Sequence, residues 1–207
     1  MQMRMDRRAM LKAGAVAGAA LACPVRVFAQ ASPLTGQQRR VMEVAREQLE
    51  RVRDRLWRTD VVGVADFGLP SSQPRFHFAD MEKGEVRSFL VAHGIGSDPE
   101  HDGFLHSFSN VEGSRATSRG AFVTNEWYKG KYGTSIRLAG VDPTNSNALD
   151  RAIVMHPAWY ANEDMVAKWG KLGRSDGCFA MGEEQFNEAL WHLSGGRLLY
   201  SDRLGIA

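Results

Sequence analysis

The chain is predicted to fold as a mostly β domain, an antiparallel sandwich or barrel, with one helix at its N-terminal side and short helices later. One long amphipathic segment predicts the helix, and short alternating apolar runs after it predict strands. Those runs lie between positions 61 and 139, where glycines at 94, 96, 103, 113, 120, 130, 133 and 140 mark the connections. Alternation with short connections favours antiparallel pairing.

Residues 35–58 are predicted to form the helix. Apolar residues recur there at steps of three and four, at Val41, Ala45, Leu49, Val52 and Leu56. Arginines and glutamates occupy the positions between them, which leaves a single apolar stripe. Such a stripe suits a helix packed against its own domain; a helix that binds a partner is the alternative.

The remaining elements follow from local patterns. Strands are predicted at 61–67, 75–80, 86–92, 120–124, 135–138, 152–155 and 198–200. A short helix is predicted to open at Asn162, which is a favourable N-cap residue. A second helix is predicted at 183–193, with Gly195 and Gly196 ending it. The strand 152–155 delivers His156 at its end.

The first 31 residues have the pattern of a cleaved export signal. Arg7 and Arg8 precede an uncharged stretch at 13–24, and Ala29-Gln30-Ala31 offers small residues at the cleavage site. That stretch is shorter than the roughly 20 apolar residues that a membrane span requires. Paired arginines and weak hydrophobicity indicate twin-arginine export to the periplasm. Lipidation at Cys23 and a disordered cytosolic N-terminus are the alternatives.

Removal of this segment changes the charge balance and bounds the function. It holds five basic and one acidic residue, so the remaining 176 residues carry 21 basic and 23 acidic residues. No basic face remains to indicate nucleic-acid binding. We predict a helical segment at 32–60 and a catalytic domain at 61–207, with no integral membrane segment after cleavage. The mature protein is expected to be a monomer.

The motif with the clearest chemistry is Gly173-Arg174-Ser175-Asp176-Gly177-Cys178. Once the export segment is removed, Cys178 is the only cysteine in the sequence. A single cysteine in a Gly/Ser turn, with a histidine available, is a candidate nucleophile; a buried cysteine acting as a small hydrophobe is the alternative. His156, 22 positions upstream, is the candidate base.

Other residues of the motif suit supporting roles. Gly177 lets the backbone turn sharply and approach a substrate, so the backbone N–H groups of Gly177 and Cys178 are candidate oxyanion donors. Ser175 orients the site or simply forms the turn. Arg174 grips a substrate carboxylate, or else is a solvated surface arginine.

These residues resemble a known catalytic signature. The runs 151–156 (RAIVMH) and 172–178 (LGRSDGC) are similar to the signature of the YkuD-like murein L,D-transpeptidase catalytic domain family. The same branch shows blocks like Asp66-Phe67, Pro70-Ser71-Ser72, His93-Gly94 and the run 109–114 (SNVEGS). The resemblance is collinear from about residue 61 to residue 200. It implies an L,D-transpeptidase fold, peptidoglycan stem peptides as partners, no metal or organic cofactor, and a position for His93 near the cleft.

The resemblance also implies a reaction. Cys178 attacks the L-centre carbonyl of the third residue of a tetrapeptide stem and expels D-alanine, and an acceptor amine then forms a 3→3 cross-link. Hydrolysis on the same scaffold, as an L,D-carboxypeptidase or an endopeptidase, is one alternative. A non-catalytic cell-wall binding module is the other. The residues do not separate the transpeptidase from the hydrolase.

The chain departs from the family pattern at three positions: Pro157 follows the histidine, Asp176 precedes Gly177, and Phe179 follows the cysteine. The carboxylate of Asp176 has two possible effects. It opposes the thiolate, which we favour because it shares a tight turn with Cys178, or it pairs with His156 and stabilises an imidazolium.

Two further groups of residues each allow a functional and a structural interpretation. The first comprises His93, His101 and His106 with the acidic residues Asp98, Glu100 and Asp102; their spacing fits no common zinc pattern, so an exposed polar loop is predicted. The second comprises Trp127, Tyr128 and Tyr132, which line a glycan or peptide groove or else pack within a hairpin.

Overall fold

The computed structural model of the protein describes residues 33–205. The predicted export segment, with Arg7, Arg8 and Cys23, lies outside the described residues. Within the described range the strands are β1 (Val61–Asp66), β2 (Phe76–Asp80), β3 (Glu85–Phe89), β4 (Gly120–Gly130), β5 (Gly133–Gly140), β6 (Val154–Pro157), β7 (Phe179–Met181) and β8 (Leu198–Asp202). They form one curled sheet in the order β3-β2-β1-β8-β4-β5-β6-β7. The predicted mostly β fold is confirmed.

The sheet is mixed rather than wholly antiparallel. The pairs β1–β8 and β6–β7 run parallel, while the other neighbours in the sheet run antiparallel. Both parallel pairs join strands that are distant in sequence, and alternation within a strand carries no information about such a partner. Strand β7 itself was not predicted, because three residues after a catalytic turn give too short a pattern.

Helix α1 (Gly36–Val52) covers one face of the sheet, as its apolar stripe predicted. A capping box starts it: the backbone N–H of Gln38 donates to the Thr35 hydroxyl at 3.2 Å, and the Thr35 N–H donates to the Gln38 side chain at 2.9 Å. Its buried residues, among them Val41 and Leu49, pack against the sheet in one apolar cluster. The helix stops at Val52 rather than at the predicted residue 58.

Helix α3 (Glu183–Leu193) covers the opposite face and has the predicted bounds. Phe186, Ala189 and Leu193 join Phe122, Ile136, Leu138, Met155 and Phe179 in the main apolar core. Helix α2 (Glu163–Trp169) is short and ends at left-handed Gly170, with φ of 69°. No helix in the described part of the chain is long and apolar enough to cross a membrane.

The edge of the sheet at β7 is covered by a loop instead of another strand. Isolated bridges join Ala92 to Ala180 and Gly94 to Ser175. Gly94 permits this approach, since a Cβ there would lie 2.7 Å from the backbone nitrogen and Cα of Gly177. The loop after Gly94 therefore packs directly against the turn that carries Cys178.

Candidate active site

The parallel strands β6 and β7, of which β7 is the edge of the sheet, bring Cys178 and His156 to the same face. In β6 and β7, Met155 lies opposite Phe179 and His156 opposite Ala180. Met155 and Phe179 belong to the main core, so Cys178 and His156, one residue away from each, lie on the other face. With strands about 4.8 Å apart and about 3.3 Å of rise per residue, their Cα atoms are roughly 8 Å apart. A cysteine and a histidine side chain can together reach across a Cα separation of this size.

Ser175 and Gly177 shape the turn that holds the cysteine. The buried Ser175 hydroxyl donates to the carbonyl oxygen of Cys178 at 2.6 Å and accepts from the backbone N–H of Gly177 at 3.2 Å. Gly177 has a φ of 111°, and a Cβ there would lie 2.8 Å from the carbonyl oxygen of Ala116. Glycine is required on both grounds, because L side chains rarely adopt this conformation and no space exists for one.

The thiol of Cys178 is sheltered, with 8% of the residue exposed. Its Sγ lies 3.6 Å from the carbonyl oxygen of Ala152, to which the S–H donates. Burial, with a smaller contribution from the charge of Asp176, raises the pKa of the thiol to about 11, although the backbone N–H of Val154 and the guanidinium of Arg151 oppose the rise. The resting cysteine is therefore a protonated thiol at neutral pH.

His156 is held in a single tautomer. Its Nδ1 lies 2.9 Å from the carbonyl oxygen of Pro157, and a carbonyl only accepts, so Nδ1 carries the proton and Nε2 is left as the acceptor. The ring stacks on Tyr132, with centroids 4.6 Å apart and an interplanar angle of 21°. Burial lowers the pKa of His156, and the bond to Pro157 partly opposes this effect. The imidazole is therefore neutral at neutral pH and ready to accept a proton at Nε2.

Arg151 is a site residue to which sequence reasoning assigned no role. One guanidinium nitrogen donates to the carbonyl oxygen of Ser109 at 2.7 Å and to the hydroxyl of Ser118 at 2.6 Å. The other donates to the Ser114 hydroxyl at 3.2 Å and to the carbonyl oxygen of Ala116 at 2.5 Å. Arg151 thus holds the 109–118 loop and favours the Cys178 thiolate. The motif contains this arginine, but no local signal shows that its side chain reaches the loop.

Asp176 forms an ion pair with Arg115 at 2.6 Å, and within the described residues it makes no hydrogen bond to His156. Both side chains are more than half exposed. The ion pair with Arg115 was part of neither expectation for Asp176, although the charge of Asp176 does act to raise the pKa of the thiol. A cavity of about 310 Å³ beside Ala152 is lined by acidic and basic side chains alike, namely Glu112, Arg115, Asp150, Arg151 and Asp176.

Arg174 is used within the protein. Its guanidinium donates to the carbonyl oxygens of Asp98 and Pro99, the second at 3.1 Å. The side chain is half-buried rather than freely solvated. It ties the catalytic turn to the loop after β3, and so positions the motif whether or not it also contacts a substrate.

His93 lies beneath the site and not on its surface, with 1% of the residue exposed. Its Nδ1 accepts from the guanidinium of Arg75 at 2.6 Å, and its Nε2 donates to Asp98 at 3.2 Å. Burial and the charge of Arg75 lower the pKa of His93 to about 4, so the ring is neutral. Both ring nitrogens are engaged. The resemblance led us to expect His93 near the cleft; in the structure it is buried and supports the residues packed against the turn of Cys178.

The polar loop contains one cluster with metal-ligand chemistry. Potential ligand atoms of Asp98, Asp102 and His106 lie within 4.8 Å of one another. The oxygens of Asp98, however, already accept from His93 and from the backbone N–H groups of Asp102 and Gly103 at 2.9 and 3.0 Å. This arrangement is that of a carboxylate which organises a loop.

The three aromatic residues of the β4–β5 hairpin have separate environments. Tyr132, at the hairpin tip, covers His156. Tyr128 lies under the guanidinium of Arg137, 4.2 Å from the ring centroid. Trp127 is 62% exposed and faces a different cavity. Only Tyr132 belongs to the surroundings of Cys178 among these three.

A sequence model described as the L,D-transpeptidase catalytic domain matches residues 35–201. No curated protein matches the chain significantly. Among solved structures, the fold is similar to an L,D-transpeptidase from Mycobacterium smegmatis, at 16% identity and a TM-score of 0.42, covering 69% of this chain and 58% of that one. Mycobacterium tuberculosis L,D-transpeptidase 1 is similar at 15% identity and a TM-score of 0.37, covering 69% of this chain and 61% of that one.

The helical cell shape determining protein Pgp2 from Campylobacter jejuni is also similar, at 12% identity and a TM-score of 0.42, covering 69% of this chain and 47% of that one. The matched part of this chain therefore spans less than two thirds of the length of each of these structures.

Proposed function

Since the chain belongs to the L,D-transpeptidase catalytic domain family, we propose that it is a cysteine transpeptidase that modifies peptidoglycan. The observation that carries the proposal is the placement of Cys178, in its glycine turn directly before β7, beside strand β6, whose His156 has an Nε2 free to accept a proton. The donor is a tetrapeptide stem, cut between its third residue and the terminal D-alanine. Cys178 is the nucleophile and His156 the general base.

Proton transfer accompanies the attack rather than preceding it. The thiol pKa of about 11 exceeds a histidine pKa held below 6.5 by more than 4.5 units. The thiolate–imidazolium pair therefore lies more than about 6 kcal/mol above the neutral pair, before the mutual attraction of the two charges is counted. In our proposal Sγ turns from the Ala152 carbonyl toward Nε2 of His156 when substrate binds, and His156 takes the proton as the C–S bond forms.

The first tetrahedral intermediate carries its negative charge on the former carbonyl oxygen of the stem. The backbone N–H groups of Gly177 and Cys178 are the proposed donors to it, and the Gly177 N–H makes only a long bond to Ser175 at rest. Collapse breaks the C–N bond to D-alanine, and the His156 imidazolium returns its proton to the leaving amine. The products are a Cys178 thioester and free D-alanine.

An acceptor amine on a neighbouring stem resolves the thioester. His156 removes a proton from the amine as its nitrogen attacks, the C–S bond breaks, and the thiolate of Cys178 regains the proton. The new amide is the 3→3 cross-link. If water takes the place of the amine, the same steps give an L,D-carboxypeptidase or an endopeptidase.

The other predicted residues position these groups. Ser175 fixes the turn, Arg174 and His93 fix the loop packed against it, and Arg151 both holds the 109–118 loop and stabilises the developing thiolate. Asp176 opposes the thiolate, since its charge raises the pKa of the thiol, and its pairing with Arg115 offsets part of this effect.

Mass spectrometry of muropeptides tests the function. Purified protein with disaccharide tetrapeptide should yield free D-alanine and 3→3 dimers, and Cys178→Ala should yield neither. Tripeptide without dimers would assign the hydrolase instead. Unchanged substrate, together with binding that survives Cys178→Ala, would assign a non-catalytic cell-wall binding module. As a direct probe of the nucleophile, a carbapenem-type β-lactam should add once per chain, at Cys178.

We also propose that the protein acts in the periplasm after twin-arginine export. Arg7, Arg8 and the site at Ala29-Gln30-Ala31 support this proposal. Replacement of both arginines by lysine should leave precursor in the cytoplasm, and the wild-type mature chain should begin at Ser32. Normal export of the Lys-Lys variant would reject the twin-arginine route.

A further inference from the structure

A cavity of about 700 Å³ among the described residues lies apart from Cys178 and His156. It is bounded by the segment after α1, by β4 and β5, and by the turn between α3 and β8. Its volume falls in the range of about 300–1,000 Å³ that is usual for small-ligand sites. Trp57 and Trp127 stand at its walls, 87% and 62% exposed. Trp159, Trp169 and Trp191 are exposed as well, but Trp57 and Trp127 line one and the same cavity.

Trp57 is exposed and yet firmly positioned. Its backbone N–H donates to the carbonyl oxygen of Gly196 at 2.9 Å. A Cβ on Gly196 would lie 2.7 Å from the Cβ of Trp57, so the tryptophan packs directly on the glycine backbone. Next to it, Arg197 pairs bidentately with Asp60 at 2.8 and 2.7 Å. The backbone holds the indole in place without burying it, as a ligand-binding platform requires.

Trp127 owes its direction to an irregularity in β4. The register of β4 against β5 shifts between Thr124 and Trp127, which marks a β-bulge. Bulges redirect side chains and are enriched near functional sites. The two indoles therefore come to the same cavity through separate backbone features.

The charge that the cavity presents is positive. Arg58 is exposed and forms no ion pair within residues 33–205. Arg55 has a partner only in its exposed neighbour Asp54, at 3.6 Å. The cavity carboxylate Glu126 is paired with Arg137 at 2.9 Å. Arg58 thus offers a guanidinium fork to an acidic ligand.

We propose that this cavity binds a cell-wall glycan strand: an oligosaccharide of N-acetylated hexosamines that bears carboxylates. The C–H face of a pyranose ring packs on an indole, as other apolar surfaces do. Arg58 binds a carboxylate of the strand bidentately. The identity of the sugar rests on the proposed function, whereas the pairing of aromatic platforms with a free guanidinium is a property of the cavity itself.

The cavity is lined from both faces of the sheet. Phe122 and Leu138 face the main core, so Val123 and Ala139 lie on the other face, whereas Trp127 pairs with Ile136 of the main core. Strand β6 separates β5 from β7, which puts the nucleophile roughly 10 Å from β5 in the hydrogen-bonding direction. A lactyl carboxylate is free only where no stem peptide is attached, so the proposed occupant is a peptide-free stretch of strand.

Titration calorimetry on the full chain tests the proposal with two probes. One is glycan strand freed of peptides, which carries lactyl carboxylates; the other is the neutral chitotetraose. Trp57→Ala and Trp127→Ala should each weaken binding of both probes by about tenfold or more. Arg58→Gln should weaken binding of the carboxylated strand alone. Trp191→Ala is the matched control, because Trp191 is 82% exposed and lies outside the cavity.

Absence of binding by the wild type, or equal binding by the variant that lacks both Trp57 and Trp127, would overturn the proposal. So would self-association that Trp57→Ala abolishes, since it would assign the cavity to a second copy. Arg58→Gln alters only an exposed side chain and serves if a tryptophan variant misfolds. Cys178→Ala should still bind the strand. Binding without any acyl transfer to muropeptides would reject the proposed function and leave the glycan site standing.

Discussion

Alkylation of Cys178 as a function of pH tests the proposed protonated resting state. A pKa of about 11 leaves about one thiol in 10⁴ ionised at pH 7, against about one in 10² at the ordinary value of 9.0. A more basic thiolate is a better nucleophile. With a Brønsted slope of 0.4–0.5, its higher reactivity offsets about 6- to 10-fold of the roughly 100-fold lower thiolate fraction. We therefore expect iodoacetamide to react about 10- to 15-fold more slowly than with a free thiol at pH 7.

The shape of the profile discriminates better than the absolute rate. The rate should rise continuously from pH 6 to 10.5 without a plateau, because the thiol titrates above that range. Asp176→Asn should lower the thiol pKa, since it removes a charge that opposes the thiolate and frees Arg115. Arg151→Gln should raise the pKa, since it removes a cation that favours the thiolate.

Matched variants separate charge from structure. Asp150→Asn changes a carboxylate in the same cavity that does not contribute to the thiol pKa, so the profile should not move. Arg151→Lys keeps the positive charge but loses the guanidinium, so it separates the charge of Arg151 from its hydrogen bonds to the 109–118 loop. A plateau with an inflection between pH 6 and 8 in the wild type would refute the reasoning, because it would reveal a preformed thiolate–imidazolium pair.

Three further predictions concern the surroundings of the site. Ser175→Ala leaves a buried carbonyl and N–H without partners, so urea unfolding should show a loss of about 1–3 kcal/mol; unchanged stability would show that the two bonds contribute nothing. Gly177→Ala should reduce acyl transfer at least about 100-fold because its Cβ meets the backbone, whereas Gly84→Ala, at a φ of 70° in open space, should leave activity unchanged; equal activities would contradict the steric argument. The folded-state pKa values of His77 and His93, about 4 against 6.5 unfolded, contribute stability that is present above pH 6.5 and lost as pH falls toward 4. Each shift corresponds to about 3 kcal/mol, and the lowered pKa of His156 adds to the same window, so His77→Gln should reduce the pH dependence of the unfolding free energy by less than half; parallel curves would reject the assignment.

Much of the site was predictable because its chemistry restricts residue type. The proposed acyl transfer requires a thiol with a base nearby. Cys178 and His156 were therefore recognisable as candidates from their identities and spacing. Gly177 was predictable as well, because a sharp turn beside a nucleophile excludes a side chain. Helices α1 and α3 followed from a periodicity that each segment carries alone, and the end of α3 followed from Gly195 and Gly196.

Other features depend on contacts between distant segments. Helix α1 ends earlier than predicted: a short 3₁₀ helix, Arg53–Arg55, follows it, and the backbone N–H of Trp57 then pairs with Gly196, a partner about 140 positions away. His93 is a buried support residue because Arg75 and Asp98 engage both of its ring nitrogens. Asp176 does not reach His156 because Arg115, from another loop, pairs with it.

The sequence by itself thus determined the family and the mostly β class, and it singled out Cys178 and His156 as the candidate nucleophile and base, since these follow from residue identities and local periodicity. The tertiary structure alone decided the parallel pairing of β6 with β7, the burial that raises the thiol pKa, the part played by Arg151, and the cavity between Trp57 and Trp127. Each of these depends on which segments become neighbours, and neighbours are selected by burial of the whole apolar surface rather than by any local pattern.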